Sequence, residues 1–358
     1  MKRLISYEVK KIFQRPLTRA SFIVVLLFML LLSFSSFHNK YATDGKEKEG
    51  TGKRAVEIDQ EIAEGYAGIL TDDKLRQMVD ELIPKRDFHG LNAKYVYQNA
   101  MQSAVAARFV DVEGNWNGLG VSDVFGKEEI RIGYVDGWLS TSQDLVKVLV
   151  VLTLAVIVMT APVFSGEYSG VDQIILSSRY GRSKCAAAKI VACMLATFVM
   201  TAVVVVADIS IALILYGNEG LSCSILFTQL TYAEQYIPFN ITCKTLLIYQ
   251  VLLAFTGAGS TAGVTLWVSA VCKNQMGTVV ISFAAYLFPL MLPVTETSPL
   301  FKLIILLPIY HTQFISLMSA DQLGGQILYA VWAVPTAVLL IIAGAVLGRN
   351  AFAHHQMA

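Results

Sequence analysis

Few positions in this chain combine a reactive residue type with a placement that would let it act. The most informative is a short polar break, Phe164-Ser165-Gly166-Glu167-Tyr168-Ser169-Gly170-Val171-Asp172-Gln173, which runs on to Arg179, Arg182, Lys184 and Lys189. It separates two segments that each have the length and composition to cross a bilayer, so its charges suit docking at a membrane face. Asp208 is the second candidate. An ionisable side chain inside an apolar run is costly in hydrocarbon and marks a substrate path or a proton acceptor. The same residue also suits a structural acid paired with a neighbouring helix or hydrated near the outer interface.

The signatures of catalysis are missing. Gly45 and Gly50 have the separation of the glycines in a phosphate-binding loop, but Thr51 stands where that loop requires Lys. The sequence contains neither His-Glu-x-x-His nor Gly-x-Ser-x-Gly. Leu323-Gly324-Gly325-Gln326 lacks the serine of the nucleotide-sandwiching signature and reads as a loop before the last span. His354 and His355 read as a solvated tail pair. The five cysteines show no metal-ligand spacing. Cys185, Cys193 and Cys272 fall near the inner face or within spans; Cys223 and Cys243 alone are placed to meet outside, and spacing leaves their pairing open. The chain is therefore not expected to be an enzyme, to bind a cofactor or to hold a metal.

The elements that position these residues are membrane spans. The chain is 55% apolar and 15% charged, with a mean hydropathy of +0.56, whereas a soluble domain is roughly 25% charged. A crossing helix needs about 20 mostly apolar residues. Ala20 to Phe37, Leu145 to Phe164, Ile190 to Tyr216, Thr245 to Cys272 and Ile327 to Leu347 meet that requirement, and Gly277 to Pro293 is a shorter sixth. Phe301 to Tyr310 reaches only about 15 Å as a helix and reads as a re-entrant piece before helix 6. The expected fold is thus an all-α integral membrane protein with six transmembrane helices.

Lys and Arg set the orientation. With the N-terminus inside, the cytoplasmic segments hold Lys2, Arg3, Lys10, Lys11, Arg15 and Arg19, then Arg179, Arg182, Lys184 and Lys189, then Lys273 and Arg349. The short outer loops hold little beyond Lys244 and Lys302. Both termini are then cytoplasmic and residues 38–144 extracellular. That insertion carries 13 of the 28 Lys+Arg and 19 of the 27 Asp+Glu, so a net charge of +1 conceals an acidic exterior and a basic interior. This distribution argues against nucleic acid as a partner. The first span, 20–37, reads as an uncleaved anchor, because Ser33-Phe34-Ser35 is a poor cleavage site.

Residues 1–19 form an amphipathic segment. Ile5, Val9, Ile12 and Phe13 share one helical face and Lys2, Arg3, Lys10, Lys11 and Arg15 fill the rest, as in a helix lying in the inner headgroup plane or a plain topology signal. Pro16 ends that helix. The insertion reads as mainly helical. Lys46 to Arg54 looks like a linker, Val56, Ile58 and Ile62 mark one helix, and Thr71 caps a second with Leu75, Met78, Val79 and Leu82 on its apolar face up to Pro84. Leu91 to Phe109 is a third, and Gly114 to Gly120 a loop. Trp116, Trp138, Tyr134 and Phe125 suit either a small-domain core or a ligand surface. Gly259 and Gly263 form a small-xxx-small pair suited to close helix packing.

This order of elements, with no ATPase motif and a basic loop between spans two and three, resembles the permease subunit of an ABC-2-type (ABC-G-like, type V) ABC transporter. In that family span two ends in an aromatic residue and a Glu. A Gly then opens a short coupling helix, followed by a Leu-rich turn, a basic residue and a Lys starting span three. The matching positions are Phe164, Glu167, Gly170, Ile174-Ile175-Leu176, Arg179 or Arg182, and Lys189 within the loop 165–189. Thr and Pro, frequent around that helix, are replaced by Val171 and Ser178-Arg179, and the long insertion is not universal in the family. The resemblance implies a membrane permease in the cell membrane, exporting an unidentified substrate and driven by a separate cytoplasmic ATPase that holds ATP and Mg. Glu167, Gly170, Ile174, Ile175, Leu176, Arg179 and Arg182 would contact or couple to that ATPase. A second permease copy, most simply making a homodimer, is expected because one six-span bundle leaves little room for a pathway. The competing readings are an ion-coupled secondary transporter, which would normally show broken helices, intramembrane acids or an inverted repeat, and a membrane-anchored sensor or assembly protein.

Overall fold

The computed structural model describes residues 1–84, 96–168, 181–229, 237, 239–294, 298–313 and 329–354. The chain is mostly helical, and five helices are long and apolar enough to cross a membrane. In order, the elements are α1 Lys2–Gln14, α2 Pro16–His38, β1 Tyr41–Thr43, β2 Glu49–Thr51, α3 Lys53–Gly65, β3 Gly68–Ile69, α4 Asp72–Leu82, α5 Ala100–Phe109, α6 Val121–Phe125 and β4 Arg131–Ile132. There follow α7 Asp136–Thr160, α8 Ala186–Tyr216, α9 Cys243–Val271, α10 Gln275–Met291, α11 Pro299–Ile304, α12 Pro308–Thr312 and α13 Tyr329–Ala353. The long apolar helices are α2, α7, α8, α9 and α13. α10 has 17 residues, so it spans about 26 Å at 1.5 Å per residue and is shorter than a hydrocarbon core of about 30 Å. Two compact units emerge, one of residues 1–29, 145–207 and 250–358 and the other of residues 30–144 and 208–249.

In the first unit, Pro16 starts α2 after Arg15 breaks α1 with extended dihedrals. The apolar stretch 301–310 folds as two short helices, each with Pro at its start, α11 and α12. Ile309 of α12 packs with Ile157 and Tyr286, and the Tyr286 hydroxyl lies 2.9 Å from Thr312 Oγ1. The α9 glycines do what their spacing predicts. A Cβ on Gly263 would stand 2.9 Å from the Leu340 carbonyl oxygen of α13, and one on Gly344 would stand 2.2 Å from the Gly263 oxygen. The two backbones touch with no side chain between them.

The second unit contains the insertion and also takes in 208–249. α3 and α4 form as the periodicity predicts, and Thr71 caps α4 by accepting from Lys74 N at 3.3 Å. Residues 46–54 are a correction. They are not a linker, because β2 pairs antiparallel with β1, Tyr41 opposite Thr51, and α3 begins at Lys53. The turn is built by Asp44, whose Oδ1 accepts from the amides of Lys46, Glu47 and Lys48 at 2.8, 3.1 and 3.0 Å. The third candidate helix starts at Ala100, where Asn99 accepts from Gln102 N; residues 91–95 lie outside the described set. Tyr134, Trp138 and Phe125 are buried, and Trp138 Nε1 donates to Glu219 O at 2.9 Å, so these three aromatics are core. Trp116 is partly exposed, with the Arg76 guanidinium 4.7 Å above its ring. Arg108 is buried and donates to the carbonyls of Phe227 and Leu226 at 2.8 Å each, and to that of Gln229, fastening 226–229 to α5. Lys40 links Asp59 and Asp136 by ion pairs. Cys223 and Cys243 are both free thiols flanking the isolated bridge between Ser224 and Thr242, and Cys243, at the start of α9, donates its N–H to Cys223 O at 3.1 Å.

Gly344→Ala tests the glycine contact. The added methyl has nowhere to go without moving a backbone, so we expect a loss of about 1–3 kcal/mol, read as a lower thermal unfolding midpoint of the purified chain in lipid nanodiscs.

Candidate functional site

The polar break after α7 leaves the helix through a 3₁₀ turn, Ala161–Val163. Its first residues are fixed by α9. Ser269 Oγ accepts from the amides of Phe164 and Ser165 at 3.0 and 3.1 Å and donates to Ala161 O at 2.5 Å. The Tyr168 hydroxyl donates to Ala270 O at 2.6 Å. Phe164 is fully buried against the ring of Phe352, 4.8 Å between centroids. Gly166 is required here, because a Cβ would come within 2.5 Å of Pro162 O.

These anchors aim Glu167 inward. One of its carboxylate oxygens, Oε1, accepts from Lys189 Nζ at 2.9 Å and from Lys11 Nζ at 2.6 Å. Lys189 Nζ also donates to both oxygens of Glu8, at 3.1 and 3.2 Å. Lys189 and Glu167 are 2% and 3% exposed, whereas Lys11 is 38% exposed. Two acids and two amines give the cluster zero net charge, which is what makes its burial tolerable. Arg15 closes the side by donating to Pro162 O at 3.3 Å. Burial pushes the Glu167 carboxyl up, but Lys189 and Lys11 together outweigh this and hold it below its ordinary value.

The structure therefore brings together Glu167 and Lys189 from the sequence motif, and supplies Lys11 and Glu8 from α1. The cation that Glu167 meets on the N-terminal helix is Lys11, joined by Lys189. Glu8 was missed. Its signal was its place in the apolar stripe, since Ile5, Glu8 and Ile12 follow one face at spacings of three and four. Gly170, Ile174, Ile175, Leu176 and Arg179 lie outside the described residues, as does the side chain of Arg182. Leu323 to Gln326 and His355 also lie outside them. A π turn, Gly181–Cys185, resumes the described chain and leads into α8. Asp208 is not part of this cluster; it lies in the other unit. No group of three or more His, Cys, Asp or Glu suited to a metal occurs among the described residues.

The cluster is a network of charge-assisted hydrogen bonds. It ties α1, the end of α7 and the start of α8 into one corner on either side of residues 169–180. Lys189→Met should leave two carboxylates buried together and destabilise by about 3–5 kcal/mol, while Lys11→Met, removing a half-exposed amine, should cost no more than about 1 kcal/mol. Denaturant unfolding in micelles measures both. The Glu167 carboxyl is depressed in the fold, so its contribution is present above its ordinary value of 4.5 and fades as pH drops through the folded value. The parent should lose stability in acid below that point, and Glu167→Gln should lose this dependence. In comparisons with known proteins, no family model, curated protein or solved structure matches this chain.

Proposed function

We propose that this chain is the membrane-spanning permease subunit of an ATP-driven exporter, with a separate cytoplasmic ABC ATPase that binds ATP and Mg. The observation that carries this reading is the seating of Lys189 between Glu167 and Glu8. A push on residues 169–180 would then be delivered at once to two long helices and to α1, because the ends of that segment are locked to all three. Such rigid-body transmission is how hinge and shear motions couple a motor to a bilayer. Ile174, Ile175 and Leu176 are assigned as the apolar contact to the ATPase, and Arg179 and Arg182 as its charged rim. The absence of a phosphate loop in the sequence is consistent with the nucleotide residing on the partner.

In this reading the protein resides in the cell membrane with both termini cytoplasmic, residues 38–144 outside, α10 as a sixth crossing and α11–α12 as the re-entrant element. Two permease copies surround one pathway.

The test is reconstitution with candidate ABC ATPases supplied as separate polypeptides. The chain alone should neither bind nor hydrolyse ATP, and should stimulate hydrolysis by the ATPase. Ile175→Asp should abolish co-purification of the ATPase, and Glu167→Gln should keep it while lowering transport per ATP hydrolysed. ATP turnover by the isolated chain, or parental behaviour of both variants, would refute the assignment. A cysteine at Lys74 should react with an impermeant thiol reagent in intact cells, and one at Ser178 only in inside-out vesicles. The reverse pattern inverts the topology.

A further inference from the structure

The second unit holds a small cavity where the C-terminal part of α2, the first turns of α7 and the last turns of α8 meet. Ser33, Thr141, Asp144, Asp208, Ile211 and Tyr216 line it. Its volume, about 10 Å³, is room for one water or one bare ion and for nothing hydrated. Asp208 is 2% exposed, and its Oδ2 is sealed from solvent with no hydrogen-bond partner. An ionised carboxylate with a bare oxygen is among the most costly groups to keep in an apolar setting. Its stable forms are a neutral acid or a carboxylate held against a cation.

The other groups facing the cavity decide between these. α2 contributes Ser33, which does not titrate. α7 contributes Thr141 and a second carboxyl, Asp144, which has an interaction of its own, as does the exposed Lys147 one turn on. α8 contributes Asp208 and the phenol of Tyr216. Lys40 lies 5.9 Å over the Tyr216 ring, but its ammonium is engaged by Asp59 and Asp136. No lysine, arginine or histidine is among the lining residues. Thr141 spends its hydroxyl proton on Gly137 O at 2.9 Å, so toward the cavity it offers lone pairs and can accept from an acid O–H. Two carboxyls at one water-sized cavity repel unless one is neutralised.

We propose that Asp208 is the seat of an exchangeable proton, facing the Asp144 carboxyl across this cavity. Release transfers the proton from the carboxyl O–H to a water and leaves the carboxylate behind. The resulting pair of negative charges favours parting of the three helix segments, so proton occupancy and conformation are linked. The inference stands apart from the permease reading and is tested without any ATPase.

The test is infrared difference spectroscopy of the full chain in lipid nanodiscs, with carbon-13 aspartate, from about pH 5 to about pH 9, the range in which buried carboxyls titrate. The parent should show a protonated-carboxyl C=O band that disappears on the alkaline side. Asp208→Asn should lack it. In Asp144→Asn the band should titrate at least about one pH unit lower, because a like charge is gone. A parent with no such band at any pH, or a band unchanged in Asp208→Asn, overturns the proposal. Added Na⁺, K⁺ or Ca²⁺ at fixed pH should leave the band in place; its loss with one of these ions would make the cavity a cation site and also overturn it. Should Asp208→Asn fail to fold, the shift in Asp144→Asn decides alone.

Discussion

Lys189 sits where no lone charge is tolerable, and the corner of the molecule around it exists because two acids converge there. Its ammonium reaches Glu8 in the middle of α1 and Glu167 beyond the end of α7. Either pair alone would leave a buried charge unmatched. Together with Lys11 they close to neutrality, and the arrangement is geometrically specific because each donor distance falls between 2.6 and 3.2 Å. An apolar cluster of equal volume would pack as tightly but would allow sliding. Fixed donors and acceptors do not, and they hold only where each partner is kept in place.

The supporting contacts follow from that requirement. Ser269, Tyr168 and Phe352 hold the exit of α7 against α9 and α13, so that Glu167 is presented at a fixed depth. Gly166 lets the backbone pass Pro162 without a Cβ in the way. Each is a short-range rule, a hydroxyl bridging amides or a glycine at a close approach, and their sum places one carboxylate.

Much of this was legible from residue types. Long apolar runs announced α2, α7, α8, α9 and α13, because a hydrocarbon setting leaves few alternatives to a helix. Thr71 and the period of Leu75, Met78 and Val79 announced α4. Glu167 stood out as part of the polar break between two spans. What was not legible depended on tertiary pairing. Lys46 to Arg54, which holds β2, reads as a linker because the strand is only three residues long and the stretch carries charge and glycine, and only Asp44 gathering three amides reveals the turn. Glu8 was hidden among lysines, where an acid looks like surface; its partner is 181 residues away. Asp144 was likewise treated as the edge of the insertion, and its company with Asp208 is a matter of helix packing alone.

The contact between Gly263 and Gly344 carries a kinematic consequence. Where side chains interleave, neighbouring helices gain several alternative registers, because rotamers can exchange as the axes move. Backbone against backbone has no such reserve: the surfaces are rigid, and axial slip of a fraction of a turn drives carbonyl oxygen into Cα. α9 and α13 are therefore held in one register where Gly263 meets Gly344, a joint set by main chain alone.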